Sequence, residues 1–382
     1  MPERLEKIQH WLQSQGIRDY QIAPASADAS FRRYFRVTYK DVGNPGVVGN
    51  ERQGTPVDGG ETLIVMDAPP QKEDCGPFIH MAKLLEDMGL HVPHLLNSDL
   101  QQGFLLLSDL GSEQYLPHLN SDTVDRLYGD AMEALLTMQR SHDPRIQSLP
   151  VYDRKLLMTE MELFREWLLK QHLGLKLSDV EEKMLDQAFA WLAESALQQP
   201  RVFVHRDYHS RNLMICGSAL SLIADAEDLL SVPGATLVSV PDVARIHSVP
   251  GDTPGILDFQ DAVYGPITYD LVSLLRDCYI DWPREQVENW VRDYHRACSG
   301  PAAEVDFDRF LAWFDLMGVQ RHFKASGIFA RLNHRDGKPG YLKDIPRTLA
   351  YVTQIAGDYP PLQAVAELIQ EQVLPRLDAL AP

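Results

Sequence analysis

Eight consecutive residues, His205 to Asn212, hold an aspartate and an asparagine five positions apart, between two apolar runs, Val202–Val204 and Leu213–Ile215. Asp207 is a carboxylate able to take the proton from a hydroxyl as that oxygen attacks phosphorus. Asn212, across a tight loop, offers an amide oxygen that can turn back onto a metal ion. A second carboxylate, Asp258, follows the apolar run Gly255–Leu257 and leads into Phe259, Gln260 and Asp261. An acid at the end of a buried strand suits a hard divalent cation such as Mg²⁺. A third stretch, Ser26 to Tyr34, carries small residues just before a strand, which lets backbone N–H groups approach phosphates. Arg32 and Arg33 would add charge there, although small polar residues mark turns of every kind.

Elements must hold these residues. Tyr34–Tyr39 alternates bulky and polar side chains, as a strand does. Leu63–Met66 and Phe104–Leu107 are short apolar runs whose length and flanking breakers predict buried strands. Helical spacing follows in Val124, Leu127, Tyr128, Ala131, Leu135 and Met138. Ser178 and Glu181 read as a capping box, and a helical tail is expected from about Asp306. Two stretches, about 41–60 and 217–254, read as insertions, the first rich in Gly, Asn, Pro and Asp. A β-rich front and a helical back predict an α+β chain of two lobes: 1–110 for a nucleotide and 111–382 for the catalytic segments.

The 382 residues carry 36 basic against 54 acidic side chains, a net charge of −18. Such a chain is a poor bulk binder of nucleic acid or anionic membrane. It suits a cationic ligand, or needs a metal ion to hold an anionic one. Hydrophobic residues at 45% and charged residues at 24% are ordinary for a globular chain and exclude global disorder. No run approaches the roughly 18 apolar residues of a membrane span, and the N-terminus lacks the apolar core of a signal peptide. Cys75, Cys216, Cys278 and Cys298 form no CxxC pair, so neither a zinc site nor a disulfide framework is expected. The cytoplasm is the simplest compartment.

Taken in order, these parts resemble the aminoglycoside phosphotransferase-like kinases over roughly residues 5–375. The resemblance is strongest to the anomeric amino-sugar kinases of Gram-negative peptidoglycan recycling, which phosphorylate C1 of N-acetylmuramate and N-acetylglucosamine. It is carried by Ser30–Arg36, Val65–Pro70 with Glu73-Asp74-Cys75, Gly103–Gly111, Asp258–Pro283, Gln320–Leu332 and Arg335–Lys338. It implies a protein-kinase-like bilobal fold, ATP as donor, Mg²⁺ and a small amino sugar as acceptor. It implies neither nucleic acid nor membrane as partner, and a monomer or weak dimer. Asp207 would be the catalytic base, Asn212 and Asp258 the metal ligands, and Leu106 to Leu110 the hinge against adenine. Nucleotide contacts would come from Ser30, Phe31, Arg32, Arg33, Leu107, Ser108, Asp109 and Leu110. Asp270 would brace the catalytic loop. The third-strand lysine usual in such kinases is missing near Met66: either Arg32, Arg33 or Arg36 replaces it, or ATP binds mainly through Mg²⁺ and backbone. The gap between Asn212 and Asp258 is long, so Asp225 or Asp228 is an alternative metal ligand; the strand before Asp258 favours Asp258.

Several roles stay open on sequence alone. His205 is expected to be structural, since the aspartate is the base. Arg211 either reaches phosphate or substrate or makes a surface ion pair. Gln260 and Asp261 either meet sugar hydroxyls or close a loop network. Arg321, His322 and Lys324 either meet a lactyl carboxylate or form a solvated helix face. Alternative functions are a kinase of aminoglycosides or another small hydroxyl compound, and a pseudokinase-type nucleotide-binding protein.

Overall fold

The computed structural model describes residues 2–27, 31–39, 61–216 and 254–380. Ser30, Asp225, Asp228 and both expected insertions, apart from Pro254, lie outside them. The chain forms two compact units, Met1–Asp130 with Arg211–Asp261, and Ala131–Ser210 with Ala262–Pro382. The sequence reading placed the boundary at 110, where strands give way to helices. The structure instead groups the segment after Ser210 with the first unit. There Ile215 N–H donates to the Glu113 carbonyl at 2.7 Å and Met214 bridges to Gln114.

The first unit is built on a five-stranded antiparallel sheet in the order β1-β2-β3-β5-β4. Its strands are β1 (Tyr20–Ala27), β2 (Arg33–Tyr39), β3 (Glu61–Asp67), β4 (Leu95–Asp99) and β5 (Phe104–Ser108). Helix α1 (Pro2–Ser14) lays Ile8, Trp11 and Leu12 on Val37, Leu63, Val65, Phe104 and Leu106. Register makes this one face: Val37 pairs with Leu63, and Val65 with both Phe35 and Leu106. The alternate residues Met66, Leu105 and Leu107 are buried too, so β3 and β5 read as continuous apolar runs. Gly103 makes the reversal into β5 possible. Its φ is +73°, and a Cβ there would lie 1.8 Å from the Ala68 carbonyl oxygen. Helix α2 (Gly76–Asp87) follows β3.

The second unit is mainly helical. It holds most of α3 (Val124–Arg140), then α4 (Arg154–Leu163), which continues as a π-helix over Phe164–His172, and α5 (Asp179–Leu197). The capping box at α5 is present: Ser178 accepts from Glu181 N–H while the Glu181 carboxylate accepts from Ser178 N–H. Strand β6 (Arg201–Val204) runs into the catalytic segment. Two short strands of the first unit, β7 (Leu213–Met214) and β8 (Gly255–Ile256), pair with each other, while β6 pairs with β9 (Val263–Pro266). Helices α6 (Thr268–Leu275), α7 (Arg284–Ala297) and the 30-residue α8 (Phe307–Asp336) follow. Among the described residues no helix is long and apolar enough to cross a membrane. None of the four cysteines is joined in a disulfide.

Candidate active site

Asp207 lies in the second unit, on a loop clamped at both ends by helix α6 and the residues just after it. The Asp270 carboxylate accepts the N–H groups of His205 at 2.6 Å and Arg206 at 3.0 Å. The Asp277 carboxylate accepts Ser210 N–H at 3.0 Å and also the Ser210 hydroxyl. Two consecutive N–H groups aimed at one carboxylate require an unusual backbone, and Arg206 has φ 79°. A non-glycine residue in that region costs on the order of 1–3 kcal/mol and persists only where its surroundings impose it. His205 Nδ1 accepts Asp207 N–H at 3.3 Å, which ties the ring to the loop.

Behind the loop lies a buried ionic network. Glu160 of α4 receives the Arg206 guanidinium at 2.6 Å, the Lys324 ammonium at 3.3 Å and the Tyr152 hydroxyl. Lys324 also donates to the Tyr269 hydroxyl at 2.7 Å. Arg321, one helical turn before Lys324, lies 4.5 Å over the Tyr269 ring and donates to the Arg206 carbonyl at 3.2 Å. Burial disfavours charge on Asp207, yet Lys324, His209, Arg321 and His205 beside it hold its carboxyl below the ordinary carboxylate range. Asp270 goes the other way: burial pushes its carboxyl up to about 7 despite its N–H partners.

This arrangement corrects the expectation for 321–324 in two respects. His322 and Lys324 are buried, so the segment is not a solvated face. His322 also does not share a side with Arg321 and Lys324. One residue along a helix turns about 100°, and His322 stacks on Tyr351 with its Nε2 3.1 Å from the Arg276 carbonyl. Burial lowers its pKa to about 3, so it stays neutral and supplies no cation to a carboxylate.

Asn212 and Asp258 belong to the first unit. Pairing of β7 with β8, and Leu257 N–H on the Asn212 carbonyl at 2.9 Å, hold the two segments side by side. The Asn212 amide nitrogen lies 3.4 Å from Asp258 Oδ2, and Gln260 Nε2 donates to Asp258 Oδ1 at 2.7 Å. Asp258 has φ 64°, so two of the three positive-φ non-glycine residues described fall in the two motifs. Phe259 is buried with its ring 5.0 Å from Phe78 of α2, which anchors the strained turn. Gln260 Oε1 is buried without a hydrogen-bond partner among the described residues. One carboxylate, one amide and an orphaned buried carbonyl oxygen form an all-oxygen set, which fits a hard cation such as Mg²⁺. No three or more His, Cys, Asp or Glu gather around a metal position among the described residues. Asp261 is exposed, and Arg211 is half-buried with its carbonyl accepting from Gln114 Nε2 at 2.9 Å.

The cations proposed to replace the missing lysine are each engaged by a carboxylate. Arg32 pairs with Glu73 at 3.4 Å, Arg33 with the fully buried Asp67, and Arg36 grips Asp109 through Nε at 2.5 Å and Nη2 at 3.0 Å. Arg4 of α1 reaches Asp67 from the other side through its Nε at 2.8 Å. Phe31 is 59% exposed, with its N–H on Glu73 and the Lys72 ammonium 4.3 Å over its ring. In the expected hinge, Leu107 is buried in β5 and Ser108 exchanges two hydrogen bonds with His94. Asp109 also caps Gly111 N–H at 2.9 Å, and the Leu110 carbonyl faces the Cys216 thiol at 3.4 Å.

Sequence reasoning missed Glu160, Tyr152 and Asp277. Asp277 lies two residues past the end of α6, so helical spacing from Asp270 gave no signal for it. Glu160 had none, being one acid on an amphipathic helix far upstream of its partners.

The class of molecule is shown by its family: the chain belongs to the Phosphotransferase enzyme family, whose model matches residues 21–223 and 246–309. It has the protein-kinase-like α+β fold. The structure of an aminoglycoside 2′-phosphotransferase in complex with GDP aligns with a TM-score of 0.55 at 15% identity, over 90% of this chain and 98% of that one. More particularly, the chain is 41% identical to the N-acetylmuramate/N-acetylglucosamine kinase of Pseudomonas putida, over 97% of this chain and 98% of that protein. It is also 41% identical to the kinase of the same name from Pseudomonas aeruginosa, over 91% and 88%.

Proposed function

We propose that this phosphotransferase moves the γ-phosphate of ATP to the anomeric C1 hydroxyl of N-acetylmuramate and N-acetylglucosamine, in recycling of cell-wall sugar. The observation that carries the reading is the placing of Asp207 on a loop fixed by Asp270 and Asp277, beside Lys324, His209, Arg321 and His205, which hold its carboxyl below the ordinary range. The substrate comes from the names borne by the bacterial relatives. Asp207 orients the sugar hydroxyl and accepts its proton as the oxygen attacks in line, so no covalent enzyme intermediate forms. Asn212 and Asp258 would hold Mg²⁺, which would supply charge neutralisation for the transferring phosphoryl group. Arg206 and Glu160 keep the loop in place, and Asp270 keeps the strained backbone at Arg206.

A kinase assay that locates the phosphate on the product tests the proposal. It is run with N-acetylmuramate, N-acetylglucosamine and a cationic aminoglycoside, on the wild type and on Asp207→Asn. Phosphate at C1 of the amino sugars and a fall in kcat of about 10²–10⁴-fold in the variant are expected. Phosphate on the aminoglycoside with none at C1 would overturn the substrate, and near-normal turnover by Asp207→Asn would overturn the mechanism.

A further inference from the structure

The residue after next from Asp258 has a task of its own. We propose that Gln260 is a positioning residue, which holds the metal-binding carboxylate of Asp258 in place through its side-chain amide. The inference rests on the reading of Asp258 as a metal ligand. Asp258 adopts φ 64°, a conformation in which its carboxylate direction is set by the turn rather than by a regular strand. Phe259, packed on Phe78, fixes the backbone beyond it. Gln260 then reaches back over that turn, and its Nε2 meets Asp258 Oδ1 at 2.7 Å.

Chemistry fixes which end of the amide does this. The nitrogen and oxygen of a glutamine are nearly identical in shape, but only the nitrogen has protons to give a carboxylate oxygen. The reverse orientation would press two acceptors together at hydrogen-bond distance. One N–H of the amide is therefore committed to Asp258, and Oε1 is buried with no donor among the described residues. An acceptor so placed suits the polarised water carried by a bound divalent ion. One amide N–H is used on Asp258 and the acceptor is buried, which leaves at most the second N–H for a sugar hydroxyl, one of the two roles the sequence left open. Partners of this kind orient a ligating carboxylate, and their loss weakens metal binding about 10–100-fold.

The test uses the full-length protein with Mn²⁺ as probe, counted by electron paramagnetic resonance in the presence of a non-hydrolysable ATP analogue. Wild type, Gln260→Met and Asp258→Asn are compared, and KM for N-acetylglucosamine is measured in parallel. Gln260→Met should weaken Mn²⁺ binding by about tenfold or more while the sugar KM stays within about twofold. Mn²⁺ binding equal to wild type in Gln260→Met would overturn the proposal, and a tenfold rise in sugar KM alongside it would assign the residue to the substrate instead. Should Gln260→Met fail to fold, Gln260→Asn, whose amide is one methylene too short to reach Oδ1, is read by the same criteria. Undiminished Mn²⁺ binding by Asp258→Asn would instead refute the metal assignment itself, whatever Gln260→Met does.

Discussion

A base that must accept a proton has to be ionised before the substrate arrives, and Asp207 keeps its charge in a buried setting because cations outweigh its desolvation. Lys324 is the first of them. Replacing it with methionine keeps the apolar stem and removes the charge, so the ionised form of Asp207 loses support and its pKa rises. The acid limb of kcat/KM, measured at saturating Mg²⁺, should therefore move to higher pH in Lys324→Met. An unmoved limb would show that Lys324 serves Glu160 and Tyr269 alone. The groups facing Asp207 in that profile are His205, His209, Arg321 and Asp270 as well as Lys324. At this scale the sequence was informative where chemistry is compact. Asp207, Asn212 and Asp258 stand out because spacing along one or two short segments defines them. Lys324 was noticed as a basic residue, but as a contact for a substrate carboxylate or part of a solvated face, because nothing local reveals that Glu160 and Tyr269 draw it in.

Among the elements, α8 and the π-helical continuation of α4 show what periodicity conveys and what it omits. Gly327 of α8 lies so close to that segment that a Cβ would be 2.2 Å from the Leu163 carbonyl carbon and 2.5 Å from Phe164 N. The obstacle is backbone, which no rotamer change can clear. Gly327→Ala should therefore destabilise by about 1–3 kcal/mol or more, read as a lower midpoint in urea unfolding. A midpoint within error of the wild type would mean the two helices separate at little cost. The sequence marked α8 as helix but could not mark the widened turn beginning at Phe164, because a π-helical stretch keeps the same apolar composition. Inner strands β2, β3 and β5 were legible through alternation or unbroken apolar runs. Strand β1 was not: it is an edge strand with Pro24 beside an irregularity in register, and edge positions tolerate proline that inner ones reject. Strand β4, at the other edge, is polar over Asn97, Ser98 and Asp99 and gave no signal either.

The whole chain carries a charge of −18, which makes an anionic nucleotide an unfavourable guest unless its own charge is met. Mg²⁺·ATP should raise the thermal midpoint by several degrees at about a hundred times its Kd, where binding contributes roughly 2.7 kcal/mol. ATP with a chelator should raise it far less, and equal shifts would argue against the metal as the means of binding. That both ends of the catalytic chemistry belong to one molecule was legible from the order of motifs. The division between the units was not, because β7 and β8 are two residues each and too short for any periodic pattern. The chain passes between its units three times, after Asp130, Ser210 and Asp261. That path sets a timetable for synthesis. The five strands ending at Ser108 can pair soon after they leave the ribosome, but Leu213 and Met214 must wait for Gly255 and Ile256. Glu160 meets Arg206 earlier, but its second cation, Lys324, lies on α8. A nascent chain halted before α8 would therefore leave α4 without the long helix that packs on it and Glu160 with one of its two cations.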